Sequence, residues 1–253
     1  MKQLGDKICG GRGWKWFGGT GWLLAGLLGF WAAPRIYHHF IDRLPTVYRE
    51  YMDRAIAEKK RELLSPWQDQ RPLVILAGDS HVEFGGWYDL FGGGRAVRNC
   101  GLAGARVADV TELVPAISDL HPQMVVLMCG VNNFIHGQPD SDQCLKDYDA
   151  LLAAVHSHLQ PGSVLVLSLM PLRESAVDRH AHQLNAAINQ FNARLAVCCR
   201  EHHVDFLNVN PAVIDTNGGL ARELTVDGLH LNHDGYLRLA AAIAPHLTTH
   251  SAP

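Results

Sequence analysis

Between residues 72 and 250 the chain alternates short unbroken apolar runs with longer stretches whose apolar residues recur at helical spacing. Leu73-Val74-Ile75-Leu76-Ala77 is the first run and ends at Gly78; Ala96 to Cys100, Gln123 to Cys129, Ser163 to Leu169 and Val204 to Val209 follow. Runs this short, without polar alternation, predict strands covered on both faces. The stretches between them predict helices over Val107 to Leu120, Ser141 to Leu159, from Ser175 or Arg179 to about Glu201, and over Asp234 to Leu247. Leu145, Tyr148, Leu151, Leu152 and Val155 form one apolar stripe, Leu184, Ile188, Phe191 and Leu195 a second, and Tyr236, Leu239, Ala240 and Ile243 a third. Strand and helix in regular alternation define an α/β class, with a mostly parallel five-stranded sheet between two helical layers.

The N-terminal part follows another pattern. Trp16 to Pro34 holds no charged residue and carries Leu23, Leu24, Leu27, Leu28, Phe30 and tryptophans 16, 22 and 31. Roughly 17 to 25 apolar residues span a bilayer, so this stretch is expected to be a transmembrane signal-anchor. Lys2, Lys7, Arg12 and Lys15 precede it, which keeps the N-terminus inside and leaves the remaining chain outside the cytoplasm. Rival readings are a cleaved signal, opposed by Phe30-Trp31 ahead of Ala32-Ala33, and an interfacial or buried helix, favoured by the glycines between Gly18 and Gly29. The expected organisation is a tail and anchor over 1–34, a helical linker or cover over 35–71, and one catalytic domain over 72–250. Within the linker, Thr46 to Leu64 has loose helical spacing at Val47, Tyr51, Ile56 and Leu63, with charge that fits a solvated face.

With 253 residues, 47% of them hydrophobic, the chain can bury a sizeable core as a single domain. A formal charge of -3 with the signs intermixed gives a nucleic-acid partner no support. Cys9, Cys100, Cys129, Cys144, Cys198 and Cys199 form no metal-type pair; Cys100 and Cys129 are expected to be buried thiols, and Cys198-Cys199 packing residues. No phosphate-binding or dinucleotide glycine pattern is present, so no cofactor and no metal is expected.

In a parallel sheet, chemistry collects beyond the carboxyl ends of the strands. Gly78-Asp79-Ser80 follows the first strand, Asn99 to Gly104 the second and Gly130-Val131-Asn132-Asn133 the third, while Asp227-Gly228-Leu229-His230 precedes the last helix. A serine hydroxyl needs a base, and that base needs an orienting group. His230 can take and return the proton of Ser80, and Asp227, one turn earlier, can hold its Nδ1. The main-chain N–H groups of Ser80 and Gly104 and the side-chain amide of Asn132 are candidate donors to an oxyanion. Asp79, Asn99, Asn133 and His81 are candidate supporting residues. Trp87, Tyr88 and Phe91, among Gly85-Gly86 and Gly92-Gly93-Gly94, read either as a mobile acyl- or sugar-binding loop or as core packing.

On these four blocks the chain resembles the SGNH hydrolases, the GDSL lipase and esterase family. The resemblance implies a flavodoxin-like three-layer α/β/α sandwich with sheet order 2-1-3-4-5. It also implies a Ser80, Asp227, His230 triad and an oxyanion hole lined by Ser80, Gly104 and Asn132. His81 stands where that family usually has leucine, and Asn133 where it often has aspartate. The implied activity is metal-free hydrolysis of an acyl ester, with acetyl among the candidate acyl groups, through an acyl-serine, on a small-molecule, lipid or glycan substrate. Alternatives are an O-acyltransferase, which His81 favours, a thioesterase or lysophospholipase with the same triad, and an inactive tethered binding module.

Overall fold

The computed structural model describes residues 46–65, 73–91, 95–135, 141–159, 162–174 and 179–248. The chain divides into two compact units, Met1–Tyr51 and Met52–Pro253; of the first, only residues 46–51 are described, and they are helical. The helix, α1, runs over 46–63. In its second-unit part the buried residues are Met52, Ile56 and Leu63, an apolar stripe at helical spacing. The Arg98 guanidinium donates to the last carbonyls of that helix, Glu62 O at 3.0 Å and Leu63 O at 3.2 Å, as a cation suits a helix C-terminus.

The apolar runs become β1 (Leu73–Gly78), β2 (Ala96–Gly101), β3 (Met124–Met128), β4 (Val164–Leu167) and β5 (Asp205–Leu207). They pair in the order β2-β1-β3-β4-β5, every neighbouring pair parallel. β1, β3 and β4 are buried along their whole length, which is why their sequences carry no polar alternation. Each Val, Ile or Leu removed from water in this way contributes about 1.5–3 kcal/mol.

Two helical layers cover the sheet. Val74, Leu76, Val126 and Leu165 share one core with Tyr236, Leu239 and Ile243 of α9 (His233–Ile243). The alternate residues Ile75, Val125, Leu127 and Val166 point to the opposite face, where α4 (Val107–Thr111), α5 (Val114–Ser118), α7 (Ser141–His158) and α8 (Arg179–Glu201) pack. α2 (Ser80–Glu83), α3 (Trp87–Phe91) and α6 (Val131–Ile135) are short helices in the loops. This is the three-layer sandwich the sequence predicts.

Two predicted helices differ in detail. Val107 to Leu120 is not one helix but α4 and α5, because Pro115 has no N–H to continue the ladder and instead occupies the first turn of α5. The last helix starts at an Asn232 cap, whose side chain accepts from Gly235 N at 3.0 Å, and passes into a tighter 3-10 turn over Ala244–Thr248.

Among the described residues no helix is long and apolar enough to cross a membrane. The expected anchor, the membrane as a partner and the single-pass placement outside the cytoplasm are corrected accordingly. The long helices α7 and α8 set an apolar stripe against a charged one (Asp142, Lys146 and Asp149 on α7; Arg194 and Glu201 on α8), which suits a sheet and water rather than lipid. The stretch Trp16 to Pro34 lies outside the described residues.

The tightest contact in the sheet is at the end of β1, where a β-carbon on Gly78 would sit 1.9 Å from the Met128 carbonyl oxygen. Gly78→Ala is expected to lower unfolding free energy by about 2–4 kcal/mol, read from the urea midpoint.

Candidate active site

β1 stops at Gly78 and Asp79 turns the chain into α2. Asp79 has an extended backbone (φ -94°, ψ -152°), and its Oδ1 accepts from His81 N at 3.0 Å, capping the helix. Ser80 is therefore the first helical residue above the carboxyl edge of the sheet, where its own N–H has no acceptor within the helix. Asp79 N donates to Met128 O at 3.3 Å and Leu102 N to Gly78 O at 2.9 Å, tying this turn to the ends of both neighbouring strands. Asn99 holds the far end of α2: its Nδ2 donates to the carbonyls of Val82, Glu83 and Gly85 at 2.9–3.2 Å, and its Oδ1 accepts from Gly101 N at 2.9 Å. Its place is thus that of a clamp under the serine turn.

The loop carrying Asp227 and His230 is closed by a bridge between Thr225 and Leu231. Thr225 Oγ1 donates to His230 O at 2.7 Å and accepts from Gly228 N at 2.9 Å, while Gly228 takes the left-handed φ of 94° that the turn requires. Arg173 N donates to Gly228 O at 2.8 Å and anchors the loop to the segment after β4. Inside this loop the Asp227 Oδ1 accepts from Leu229 N at 2.9 Å and His230 N at 2.8 Å, and Oδ2 lies 2.6 Å from His230 Nδ1. His230 Nε2 lies 2.9 Å from Ser80 Oγ.

The placement of the imidazole hydrogen follows from these contacts. Partial burial pushes the Asp227 carboxyl upward, but the His230 ring bond, the two backbone donors and the ring's charge outweigh it and bring the pKa to about 2. Asp227 is then an acceptor at neutral pH, so His230 Nδ1 carries the hydrogen and Nε2 faces the serine hydroxyl with its lone pair. The depressed pKa also means that this loop's pairing is complete above the usual carboxylate range and is lost as pH falls through about 2.

The remaining loops are stitched to the same edge. Gly104 has a φ of 82°, and open space lies where its side chain would be. Ala105 N donates to Leu102 O at 3.0 Å, and Asn132 Nδ2, on α6, donates to Ala105 O at 2.9 Å. One hydrogen fixes the buried Asn132 amide and the second remains for another acceptor. Asn133 accepts from Val107 N at 3.2 Å and donates to Asp147 at 3.3 Å, so it secures the start of α4.

The structure thus brings Ser80, His230 and Asp227 into one relay, makes Asp79 a cap, and gives Asn99 and Asn133 scaffold contacts. His81 is buried beneath the relay, bonded to Asp79 and Leu229. Thr225, Phe84 and Tyr236 were not foreseen as site residues. Phe84 is 56% exposed with its ring 5.2 Å from that of His230, and Tyr236 Oη donates to His81 O at 2.9 Å. An aromatic one turn past Ser80 was a visible signal for Phe84, whereas nothing local marked Thr225. Of the aromatic loop, Trp87 and Phe91 are core: their rings stack at 5.7 Å, and Trp87 Nε1 donates to Val82 O at 2.7 Å. Tyr88 is exposed, and residues 92–94 lie outside the described set.

Cys100, Cys129, Cys144, Cys198 and Cys199 are buried and form no disulfide with one another, and burial pushes the Cys100 thiol up to about 12. Among the described residues one set has metal-ligand chemistry, Asp149, Cys198 and His202, with donor atoms within 4.8 Å of one another. It lies on α7 and at the end of α8, not on the loops that carry Ser80.

A serine, a histidine and a carboxylate in sequence above the edge of a parallel sheet define a serine hydrolase. The chain belongs to the GDSL-like lipase/acylhydrolase family, whose model matches residues 76–238. It is 26% identical over 183 residues to the Homo sapiens platelet-activating factor acetylhydrolase IB subunit alpha1, covering 70% of this chain and 75% of that protein. Among solved structures it is similar to a candidate platelet activating factor from Streptococcus pneumonia, with a TM-score of 0.67, 21% identity, and 83% and 99% of the two chains covered. It is also similar to a GDSL-like lipase from Bacteroides thetaiotaomicron, with a TM-score of 0.60, 22% identity, and 79% and 96% covered. The protein is a serine-hydrolase-type esterase acting on acyl esters.

Removing the clamp under the serine turn tests the scaffold apart from the chemistry. Asn99→Ala is expected to cost about 1–3 kcal/mol of unfolding free energy, since it removes the amide donor shared by the Val82, Glu83 and Gly85 carbonyls and the acceptor of Gly101 N, measured by urea denaturation.

Proposed function

We propose that Ser80 is the nucleophile, His230 the general base and acid, and Asp227 its orienting carboxylate, in hydrolysis of an acetyl or other short acyl ester. The observation that carries this reading is the continuous relay from Asp227 Oδ2 through His230 to Ser80 Oγ, at 2.6 and 2.9 Å. As Ser80 Oγ bonds to the substrate carbonyl carbon, its proton passes to His230 Nε2. The resulting oxyanion is held by the N–H groups of Ser80 and Gly104 and the free hydrogen of the Asn132 amide. Collapse expels the alcohol, which takes the proton back from His230. Water, deprotonated by the same imidazole, then releases the acid from the acyl-serine.

The acetyl preference draws on the acetylhydrolase named among the relatives. Phe84, exposed beside His230, offers an apolar wall for the small acyl group or the leaving alcohol.

Ser80→Ala is expected to abolish release of p-nitrophenol from its acetate and labelling by a fluorophosphonate, with an unchanged circular dichroism spectrum; undiminished turnover would overturn the assignment. Asp227→Asn should lower kcat on the order of 10³–10⁴-fold, because the imidazole loses its preferred tautomer. Asn132→Ala should lower kcat about 100–1000-fold with a smaller change in KM, both from steady-state rates on p-nitrophenyl acetate.

A further inference from the structure

His81 is 2% exposed, yet both of its ring nitrogens are engaged: Nδ1 lies 3.2 Å from Asp79 Oδ1 and Nε2 lies 3.0 Å from Leu229 O. Both partners are acceptors, one a carboxylate and the other a peptide carbonyl. A neutral imidazole has one N–H and one bare nitrogen, so either tautomer would set a lone pair against a lone pair at one of the two contacts. Against a carboxylate at Asp79 and the Leu229 carbonyl, the imidazolium is the form that satisfies both, and the 1% exposed Asp79 lies within ion-pair distance of it.

The second contact is the one that matters for the reaction. Leu229 O belongs to the peptide group that leads into His230, and the N–H of that same group donates to Asp227 Oδ1 at 2.8 Å. This peptide is therefore gripped on both sides, by Asp227 through its N–H and by His81 through its C=O. His81 follows Ser80 directly on α2, and Tyr236 of α9 fixes the His81 carbonyl in turn.

Resting on the triad proposed above, we infer that His81 is a positioning residue, a buried imidazolium that clamps the nucleophile turn to the backbone of the base loop and so sets the Ser80–His230 approach. Leucine, the residue common at this place in the resembling family, has no donor and would make no such tie.

The titratable groups around the ring are Asp79 on its own turn, Asp227 and His230 on the base loop, with the His230 ring 5.7 Å away, and Tyr236 on α9. Burial pulls the His81 pKa down, but the Asp79 bond and charge, the Leu229 carbonyl and the Asp227 charge together hold it above the usual histidine value. A raised folded pKa means that the clamp is complete below the usual histidine value and is lost as pH rises through the raised one. Its loss predicts an alkaline limb in kcat.

The test compares wild type, His81→Leu and His81→Gln on p-nitrophenyl acetate across pH, with folding followed by circular dichroism and fluorophosphonate labelling of Ser80 as the reference. Expected are a kcat about 10–100-fold lower for His81→Leu at nearly constant KM, and substantial recovery in His81→Gln, whose amide still donates to Leu229 O. The alkaline limb should disappear in the glutamine variant. Nitrogen-15 spectra of the wild-type ring below the usual histidine pKa should show both His81 nitrogens protonated, and the protonated form should persist above that pKa. Wild-type kcat and pH profile in both variants, or a neutral His81 ring below its usual pKa, would overturn the clamp. If His81→Leu does not fold, the glutamine variant and the spectra decide. A wild-type protein whose Ser80 takes no label overturns the triad and the clamp's part in it together, whereas labelled wild type with indifferent variants overturns the clamp alone.

Discussion

The site depends on how closely three backbones meet at the end of β1. Gly78 lies against the Met128 carbonyl, and Gly101, its register partner on β2, lies where a β-carbon would meet Glu83 N at 2.1 Å. With no side chain at either position, α2 can start immediately beyond the sheet and pack on both neighbouring strands. Ser80 is then carried by a turn bonded to β1, β2 and β3 at once, and only such a turn can hold a hydroxyl against an imidazole from a loop 150 residues away. The preorganisation that catalysis needs is supplied by main-chain contacts of the sheet.

Two carboxylates close to the serine perform separate tasks because their surroundings differ. Asp227 stands at the surface, half exposed, where two backbone donors and the His230 ring keep it ionised and aimed at Nδ1. Asp79, adjacent to the nucleophile, is enclosed; it caps α2 and balances His81. The exposed one bonds the ring of His230, which in the proposed mechanism gains and loses a proton, while the enclosed one pairs with the buried ring of His81. In the triad proposed for Ser80, position next to the serine is thus not what selects the carboxylate. What selects it is which carboxylate the base can reach through Nδ1.

Apolar content read along one dimension proves a weaker guide than apolar content read by face. The expectation of a membrane-spanning helix counted uncharged residues, whereas the long described helices place their apolar residues in stripes that meet the sheet. The aromatics beside the nucleophile divide in the same way: Trp87 and Phe91 close the core under α9, and Phe84 and Tyr88 face outward. Gly85 belongs to that packing, since a β-carbon there would meet the Trp87 ring at 2.2 Å. One stretch of chain therefore supplies both a core plug and a solvent-facing wall.

The sequence by itself determined the layer architecture, the strand limits to within a residue or two, and the residues collected at the strand ends, because burial on both faces and helical periodicity are local patterns that each segment carries alone. The Val107 to Leu120 stretch was expected as one helix and is two, although Pro115 was a local signal of the break. Only the tertiary structure decided that Asn99 is a clamp under α2, that Thr225 braces the base loop, and that His81 faces two acceptors. Such partners lie far apart along the chain, 148 residues in the case of His81 and Leu229, and no periodicity relates them. Their meeting is set by sheet register and by the close glycine contacts at its edge, which exist only once the strands have paired.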